Sequence, residues 1–291
     1  MLVDKKFTVP LVSVLLTAYN REMFIAEAIE SVLTSTYQNF ELIIVDDGSK
    51  DNTVTIARNY AIKDQRIKLY INEINLGDYP NRNKAASYAM GELLMTVDSD
   101  DTIFKDSIQN CVNLFNQFPT ARFGITNTGL SGTGVLLSAT DAINVHFFKQ
   151  PILMKGPGGT VINRQFFQEI FGYPVKYGPA NDMYFNLKAA SKKDVILIPF
   201  EYIYYRRHEG QEINNIKSYL YNSYRYLRDA LVELDLALTK TEISWIDKKN
   251  KRRFIANITK RLFITGSIVE TGKVLKLAEF SFKDFLKGVF H

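Results

Sequence analysis

The chain has 291 residues, 46% of them apolar and 23% charged, with 16 glycines, 8 prolines and a single cysteine. That composition excludes a disordered polymer, a collagen-like repeat, a disulfide scaffold and a cysteine-rich zinc module, and the length suffices for one large core or a core with an appendage. The net charge of +5 hides an asymmetry: residues 1–247 hold 25 Lys and Arg against 28 Asp and Glu, whereas residues 248–291 hold 11 against 3, a local net charge of +8.

The N-terminal stretch, Met1 to Val9, carries Asp4, Lys5 and Lys6 and no apolar run of signal-peptide length. Val12 to Leu16 predicts a first strand. Asn20 is placed to cap a helix whose apolar positions Phe24, Ile25, Ala28, Ile29, Val32 and Leu33 share one face. Leu42 to Val45, apolar throughout, predicts a second strand covered on both faces. A helix over about 52–61, a strand at Ile67 to Ile71, a helix near 81–90 and a strand at Leu93 to Val97 follow. This alternation is the pattern of a mainly parallel sheet with crossover helices. Cys111, followed by Val112, Leu114 and Phe115, is expected to be a buried thiol, and one cysteine suits a reducing compartment. The longest uncharged stretch, 123–140, contains four glycines and several Thr and Ser residues and cannot span a bilayer. A soluble or peripheral protein on the cytoplasmic side is therefore expected.

Each predicted strand ends in polar residues. Thr17-Ala18-Tyr19-Asn20 follows the first, Asp46-Asp47-Gly48-Ser49 the second, Asn75-Leu76-Gly77 the third and Asp98-Ser99-Asp100-Asp101 the fourth. Ligands of open parallel sheets bind beyond the carboxyl ends of the strands. No Gly-x-Gly-x-x-Gly follows the first strand, and the Walker-like run Gly266 to Lys273 has its glycines six apart and Val274 where Ser or Thr belongs. Three carboxylates within four residues repel one another unless a hard cation sits among them, and Mg2+ or Mn2+ bridging carboxylates to substrate phosphates suits such a cluster. The other reading of Asp98 to Asp101 is a solvated acidic turn.

In this order the segments resemble the inverting nucleotide-sugar glycosyltransferases of family 2, with the GT-A fold. Val12 to Asn20, Phe40 to Ser49 with Asp51-Asn52-Thr53, Asn75-Leu76-Gly77, Asn81-Arg82-Asn83, and Gly91-Glu92 running into Asp98-Ser99-Asp100-Asp101 carry the likeness, densely over residues 9–118. The resemblance implies a mixed, mainly parallel α/β sheet flanked by helices and a basic helical C-terminal appendage. It divides the chain into a glycosyltransferase domain at 1–215, with a nucleotide half at about 9–118 and an acceptor half at about 119–215, and a basic segment at 216–291. Thr17, Tyr19 and Asp47 would hold the nucleotide base, usually uracil, Asp98 the ribose and Arg82 the diphosphate. Asp100 would bind Mn2+ or Mg2+. Gly156-Pro157-Gly158-Gly159 is similar to an acceptor-side turn, which marks Gly158 and Gly159. Asn181-Asp182 stands where the family has an acidic pair, so Asp182 is the candidate general base, with helix capping as its alternative. Tyr205-Arg206-Arg207-His208 resembles a Tyr-Arg-x-His element and places His208 near the metal or the leaving diphosphate. The Gln-x-x-Arg-Trp motif of processive members is absent, which implies transfer of one sugar to a glycan or lipid-linked acceptor, in bacterial surface polysaccharide or glycoconjugate synthesis.

Residues 248–291 have helical apolar spacing at Phe254, Ile258, Leu262, Phe263, Val274, Leu277, Phe280, Phe285 and Phe290. Two readings stand: an element drawn to anionic membrane surfaces, or a helical cap packed on the rest of the chain. No base-stacking or zinc-finger motif points to nucleic acid. The seven tyrosines between Tyr202 and Tyr226 either pack this tail or line an acceptor groove. Two further readings of the whole chain are a metal-dependent nucleotidyltransferase and a catalytically silent membrane-surface protein that keeps the fold.

Overall fold

The computed structural model describes residues 8–130, 132–208 and 216–290; most of the N-terminal stretch (1–7), Ser131 and His291 lie outside the described residues. The apolar runs pair as their sequence suggests. The strands β1 (Val12–Ala18), β2 (Phe40–Asp46), β3 (Ile67–Ile71) and β4 (Leu93–Thr96) lie parallel and alternate with helices α1 (Ile25–Leu33), α2 (Thr53–Lys63) and α3 (Asp78–Ser87). Beyond β4 come the two-residue β5 (Thr102–Ile103), α4 (Ser107–Gln117), β6 (Phe123–Thr126), β7 (Val135–Leu137) and α5 (Ala139–Phe148). Then follow β8 (Thr160–Asn163), α6 (Arg164–Glu169), α7 (Asn181–Ala190), β9 (Val195–Ile198) and β10 (Ile203–Tyr204). One eight-stranded sheet has the order β3-β2-β1-β4-β8-β6-β9-β7, mixed because β8 runs antiparallel to β4 and β6, and β7 antiparallel to β9. This is the mainly parallel α/β sheet that the sequence predicts. β5 and β10 form a separate antiparallel ribbon, with Ile103 opposite Ile203.

The strand interiors are apolar because both faces are covered. Val12, Val14 and Leu16 of β1 and Leu42 and Ile44 of β2 pack with Ile25, Ala28, Ile29 and Val32 of α1, and Cys111 lies buried in the same core. Each such fully buried Val, Leu or Ile side chain contributes about 1.5–3 kcal/mol. The register then fixes the ligand edge: Ala18 faces Asp46 and Asp46 faces Ile71, so Tyr19, Asp47 and Asn72 leave three adjacent strands at one level.

Two local expectations are corrected. Asn20 caps no helix: α1 starts at Ile25, with Phe24 at the cap and no side-chain cap. Asn20 instead takes a left-handed backbone (φ 52°), tolerable for an Asx residue, and its Oδ1 accepts from the Lys50 N–H at 2.8 Å, joining two strand-end loops. Helix α3 begins at Asp78, ahead of the predicted start, because Gly77 (φ 88°) turns the chain there and donates its N–H to Asp47.

Two compact units result. The first is Met1–Ala142, Lys155–Tyr173 and Lys192–Arg206 and holds the whole sheet. The second is Ile143–Met154, Pro174–Ser191 and Arg207–His291, and includes α7, α8 (Ile216–Glu233), α9 (Lys240–Thr265), α10 (Ile268–Leu277) and α11 (Phe282–Phe290). The basic helices share this unit with Ile143–Met154 and Pro174–Ser191. The Tyr177 hydroxyl donates to Asp229 of α8 at 2.9 Å, and Tyr184 of α7 donates to Glu233 at 2.6 Å. α9 opens with a capping box between Thr239 and Glu242 and ends at Gly266 in a left-handed turn. Its core is Tyr224, Phe254, Ile258, Val274 and Ala278, with Tyr224 stacked on Phe254 at 4.7 Å. Tyr202, Tyr224 and Tyr226 are buried, so packing accounts for these three tyrosines. Among the described residues no helix is long and apolar enough to cross a membrane.

Candidate active site at the carboxyl edge of the sheet

The β1–β3 edge is built around two buried carboxylates. Asp46 accepts from the backbone N–H groups of Gly48 and Ser49 and from the Ser49 hydroxyl, which folds the Asp46 to Ser49 loop back on itself. Asp47 accepts from Asn72 Nδ2 (2.8 Å) and from the N–H groups of Leu76 and Gly77 (2.9 Å each). Its carboxylate offers about four acceptor sites, three of which shape the Asn75-Leu76-Gly77 loop. Tyr19, at the same edge, is 45% exposed, so its ring face is open. Thr17 is half-buried and lines a small cavity with Arg82, Thr96, Thr160 and Tyr173.

Beside it lies the acidic cluster. Arg82 projects from α3 and is buried; Nε pairs with Asp78 Oδ1 and Nη2 with Asp98 Oδ1, both at 2.7 Å, while Nη1 is buried without a hydrogen-bond partner among the described residues. Burial opposes the charge on Arg82, but Asp78 and Asp98 outweigh it and hold the guanidinium well above its ordinary range. Asp100 Oδ2 pairs with Arg21 Nε at 3.2 Å. Asp101 Oδ1 accepts from the Arg206 N–H at 2.9 Å, and Arg206 Nε donates to the Asp100 carbonyl at 3.0 Å. The Arg206 guanidinium also pairs with Glu27 at 2.6 Å and lies over the Phe24 ring, so the β5–β10 ribbon delivers a cation that fixes the acidic turn from behind. Burial, then the charge of Asp98, pushes Asp101 up to about 7; burial also raises Asp98, with Arg82 opposing and Asp78 and Asp100 adding to the rise. Asp101 Oδ2 is buried with no hydrogen-bond partner among the described residues.

These are the properties a hard cation would relieve: crowded carboxylates, with Asp98 and Asp101 raised by burial and by neighbouring negative charge, and an orphaned carboxylate oxygen. Among the described residues no three His, Cys, Asp or Glu side chains form a complete cage. Mg2+-type ions need only one or two carboxylates when substrate phosphates supply the rest, and the residues present fit that arrangement. A second cavity of about 530 Å³, lined by Glu92, Arg122, Arg164, Glu169 and Lys193, opens at the opposite ends of the strands and mixes both signs of charge.

The first unit therefore gathers Thr17, Tyr19, Asp47, Arg82, Asp98 and Asp100 along the carboxyl ends of β1 to β4. Gly158 and Gly159 belong to the same unit, in a buried turn where a Cβ on Gly158 would come within 2.8 Å of Ile203 Cδ1 and one on Gly159 within 2.9 Å of Lys155 Cβ. Close packing thus restricts Gly159, beside a Cβ and the Thr126 hydroxyl, more than Gly158, which faces the movable tip of a side chain. Asp182 and His208 belong to the second unit. Asp182 is the second residue of α7, with Ala180 at the cap position, so it does not cap the helix; it is buried, and Oδ1 accepts from the Met183 N–H at 2.7 Å. Burial raises the Tyr226 phenol, with Arg253 opposing and the Asp182 charge adding to the rise, which marks a charged neighbourhood around Asp182 within that unit. His208 is half-buried after β10. Sequence reasoning gave no role to Arg21, Asp78, Asn72 or Arg206. Arg21 adjoins the quoted Asn20 and Arg206 stands inside the quoted Tyr-Arg-x-His element, but their partners are 79 and 105 residues away and only the fold brings them in.

The sheet order and the acid-lined strand ends define a GT-A-type protein. The family model described as Glycosyl transferase family 2 matches residues 13–171, more than half of the chain, and the chain belongs to that family. An uncharacterized glycosyltransferase of Haemophilus influenzae is 38% identical over 108 residues, covering 37% of this chain and 43% of its own length. Glycosyltransferase GlyG of Streptococcus pneumoniae is 37% identical over 99 residues, 34% of this chain and 33% of its own. The match thus spans less than half the length of these relatives. In fold, the chain is similar to S. aureus TarS 1-349, solved in complex with UDP-GlcNAc (TM-score 0.73, 19% identity, 96% of this chain and 81% of that one). It is also similar to the mannosyltransferase PcManGT from Pyrobaculum calidifontis, solved with GDP-Man and Mn2+ (TM-score 0.63, 15% identity, 98% and 84%).

Proposed function

We propose that this protein moves one sugar from a nucleoside diphosphate donor, a UDP-sugar, to an acceptor hydroxyl with inversion at the anomeric carbon. The acceptor is a glycan or lipid-linked saccharide, and the setting is bacterial surface polysaccharide or glycoconjugate synthesis on the cytoplasmic side. Residues 1–215 supply the chemistry and 216–291 the basic appendage. The observation that carries this reading is the presence of two buried, unsatisfied groups of opposite kind around Asp98: the Arg82 Nη1 donor, suited to a phosphate oxygen, and the Asp101 Oδ2 acceptor, whose charge a cation at the adjacent Asp100 would offset. UDP-GlcNAc in the TarS structure supports the uridine donor, and Mn2+ in the PcManGT structure supports the cation.

The residues divide the work. Asp47 accepts from the ring N–H of the base with the site its loop contacts leave over, while Tyr19 stacks on the base and Thr17 closes the wall. Asp98, held by Arg82, accepts from a ribose hydroxyl. Arg82 donates to the diphosphate, preorganised by its pairs with Asp78 and Asp98, so little rearrangement is needed as the leaving group gains charge. Asp100 and, by its motif, His208 would hold Mn2+ or Mg2+, which when bound neutralises charge on the departing diphosphate. Asp182 takes the proton from the attacking acceptor hydroxyl, and by its motif the Gly158-Gly159 turn, packed against Ile203 and Lys155, lies on the acceptor side. Ordinary general-base catalysis contributes about 10²–10⁴-fold.

The test is product analysis with a panel of nucleotide sugars, Mn2+ and saccharide acceptors. Free UDP is the expected product, with turnover in Asp182→Asn lower by about 10²–10⁴-fold and its melting temperature unchanged. Pyrophosphate release would instead mean nucleotidyl transfer, and undiminished turnover in Asp182→Asn would remove that residue from the base role.

A further inference from the structure

The C-terminal helices carry two kinds of apolar residue. One kind completes a core: Phe254, Ile258, Val274 and Ala278 close around Tyr224. The other kind points away from it. Where α9 turns into α10 through Gly266, Phe263, Ile264, Ile268 and Val269 are 70–85% exposed, and Phe282 at the start of α11 is 74% exposed. α11 is fixed on α9 by Arg252 Nε donating to the Gly288 carbonyl at 2.9 Å and by Lys251 paired with Asp284 at 3.3 Å, so Phe282 stays exposed with the helix already seated. Large apolar side chains clustered on a surface mark an interaction site.

The surrounding charge selects the partner. All three acids of residues 248–291 are already paired within the unit: Glu270 with Arg261, Glu279 with Arg225 and Arg228, and Asp284 with Lys251. Lys260, Lys273, Lys276, Lys283 and Lys287 are exposed, and none forms an ion pair among the described residues. Pairing thus concentrates the local excess of basic residues as uncompensated lysine around protruding Phe, Ile and Val.

We propose that this tip docks on an anionic lipid surface: Phe263, Ile264, Ile268 and Val269 enter the interfacial layer while the lysines that flank it in α9 and α10, Lys260, Lys273 and Lys276, meet headgroup phosphates. A second copy of the chain would bring like charge against like charge. A nucleic acid would occupy the lysines and leave the aliphatic tip uncovered. Lipid satisfies both halves of the surface, and helices of 9–10 residues such as α10 and α11 can lie in an interface but not span it. This inference is independent of the transfer chemistry.

The test is co-sedimentation of the full chain with vesicles of phosphatidylcholine alone or mixed with phosphatidylglycerol. Binding is expected to the mixed vesicles only, to weaken with added salt, and to fall on the order of tenfold or more in Phe263→Ser/Ile268→Ser. Both positions are exposed, so the variant should keep the wild-type melting temperature. A charge variant, Lys273→Glu/Lys276→Glu, reports the same loss without touching an apolar residue. No binding to mixed vesicles, equal binding to neutral ones, or full binding by either variant overturns the proposal. So does vesicle-independent self-association that the Phe263→Ser/Ile268→Ser change abolishes.

Discussion

The strand edge of the first unit and the helical face of the second break the ordinary rule of burial in opposite directions. At the edge, Asp46, Asp47, Asp101 and Arg82 are buried although polar; on the helices, Phe263, Ile268 and Phe282 are exposed although apolar. Loop hydrogen bonds satisfy Asp46 and Asp47. Arg82 Nη1 and Asp101 Oδ2, by contrast, have no hydrogen-bond partner among the described residues, at a cost of about 1–3 kcal/mol each, and exposed apolar surface forgoes stabilisation. The ligands proposed above differ in the same way: a small, charged nucleoside diphosphate for the edge and an extended, amphipathic lipid surface for the helices.

Burial of a polar group is not enough to mark a site, and His146 sharpens that limit. It is buried in the second unit, but its Nδ1 accepts from the Leu153 N–H at 3.0 Å, so the chain itself satisfies it. Burial pulls its pKa down to about 4. Above about pH 6.5 the imidazole is neutral in both folded and unfolded chains and its contribution is complete. As the pH falls from about 6.5 towards 4 the unfolded chain takes up a proton that the folded one refuses, and stability drops. Thermal melts should show the wild type losing several degrees across that window and His146→Gln, which keeps an acceptor but cannot titrate there, losing less. Equal slopes would mean that His146 is not held neutral.

A smaller effect is expected at Arg21. Its pair with Asp100 occupies an oxygen that the proposed cation would take, yet both side chains are partly accessible (28% and 12%), so the pair is worth only about 0.2–1 kcal/mol. Arg21→Gln should therefore tighten Mn2+ binding by at most about fivefold, read by the paramagnetic signal of the free ion. Weaker binding would show that Arg21 supports the cation site rather than competing for it.

Much of this was legible in the sequence because it is local. The runs Val12 to Leu16 and Leu42 to Val45 specify buried parallel strands by composition alone, and β3 matches its predicted span residue for residue. The acids at the strand ends follow from the same alternation. What escaped depends on tertiary pairing: the antiparallel insertion of β8 between β4 and β6, the hold of Arg206 on Asp101, and the redirection of Asn20 from helix cap to loop tie. The basic tail shows the limit best. Helical spacing treated Phe254, Ile258 and Phe263 as one stripe, whereas the fold buries the first two and exposes the third, because only the first two reach Tyr224 and α10.

In the proposed reaction the crowded carboxylates after β4 use a divalent cation to hold a nucleoside diphosphate. Calorimetric titration of UDP with and without Mn2+ tests it without acceptor or turnover. Mn2+ should strengthen UDP binding at least about tenfold in the wild type, and Asp100→Ala should bind UDP equally weakly in both conditions. The same enhancement in Asp100→Ala, or no effect of Mn2+ on the wild type, would contradict the account.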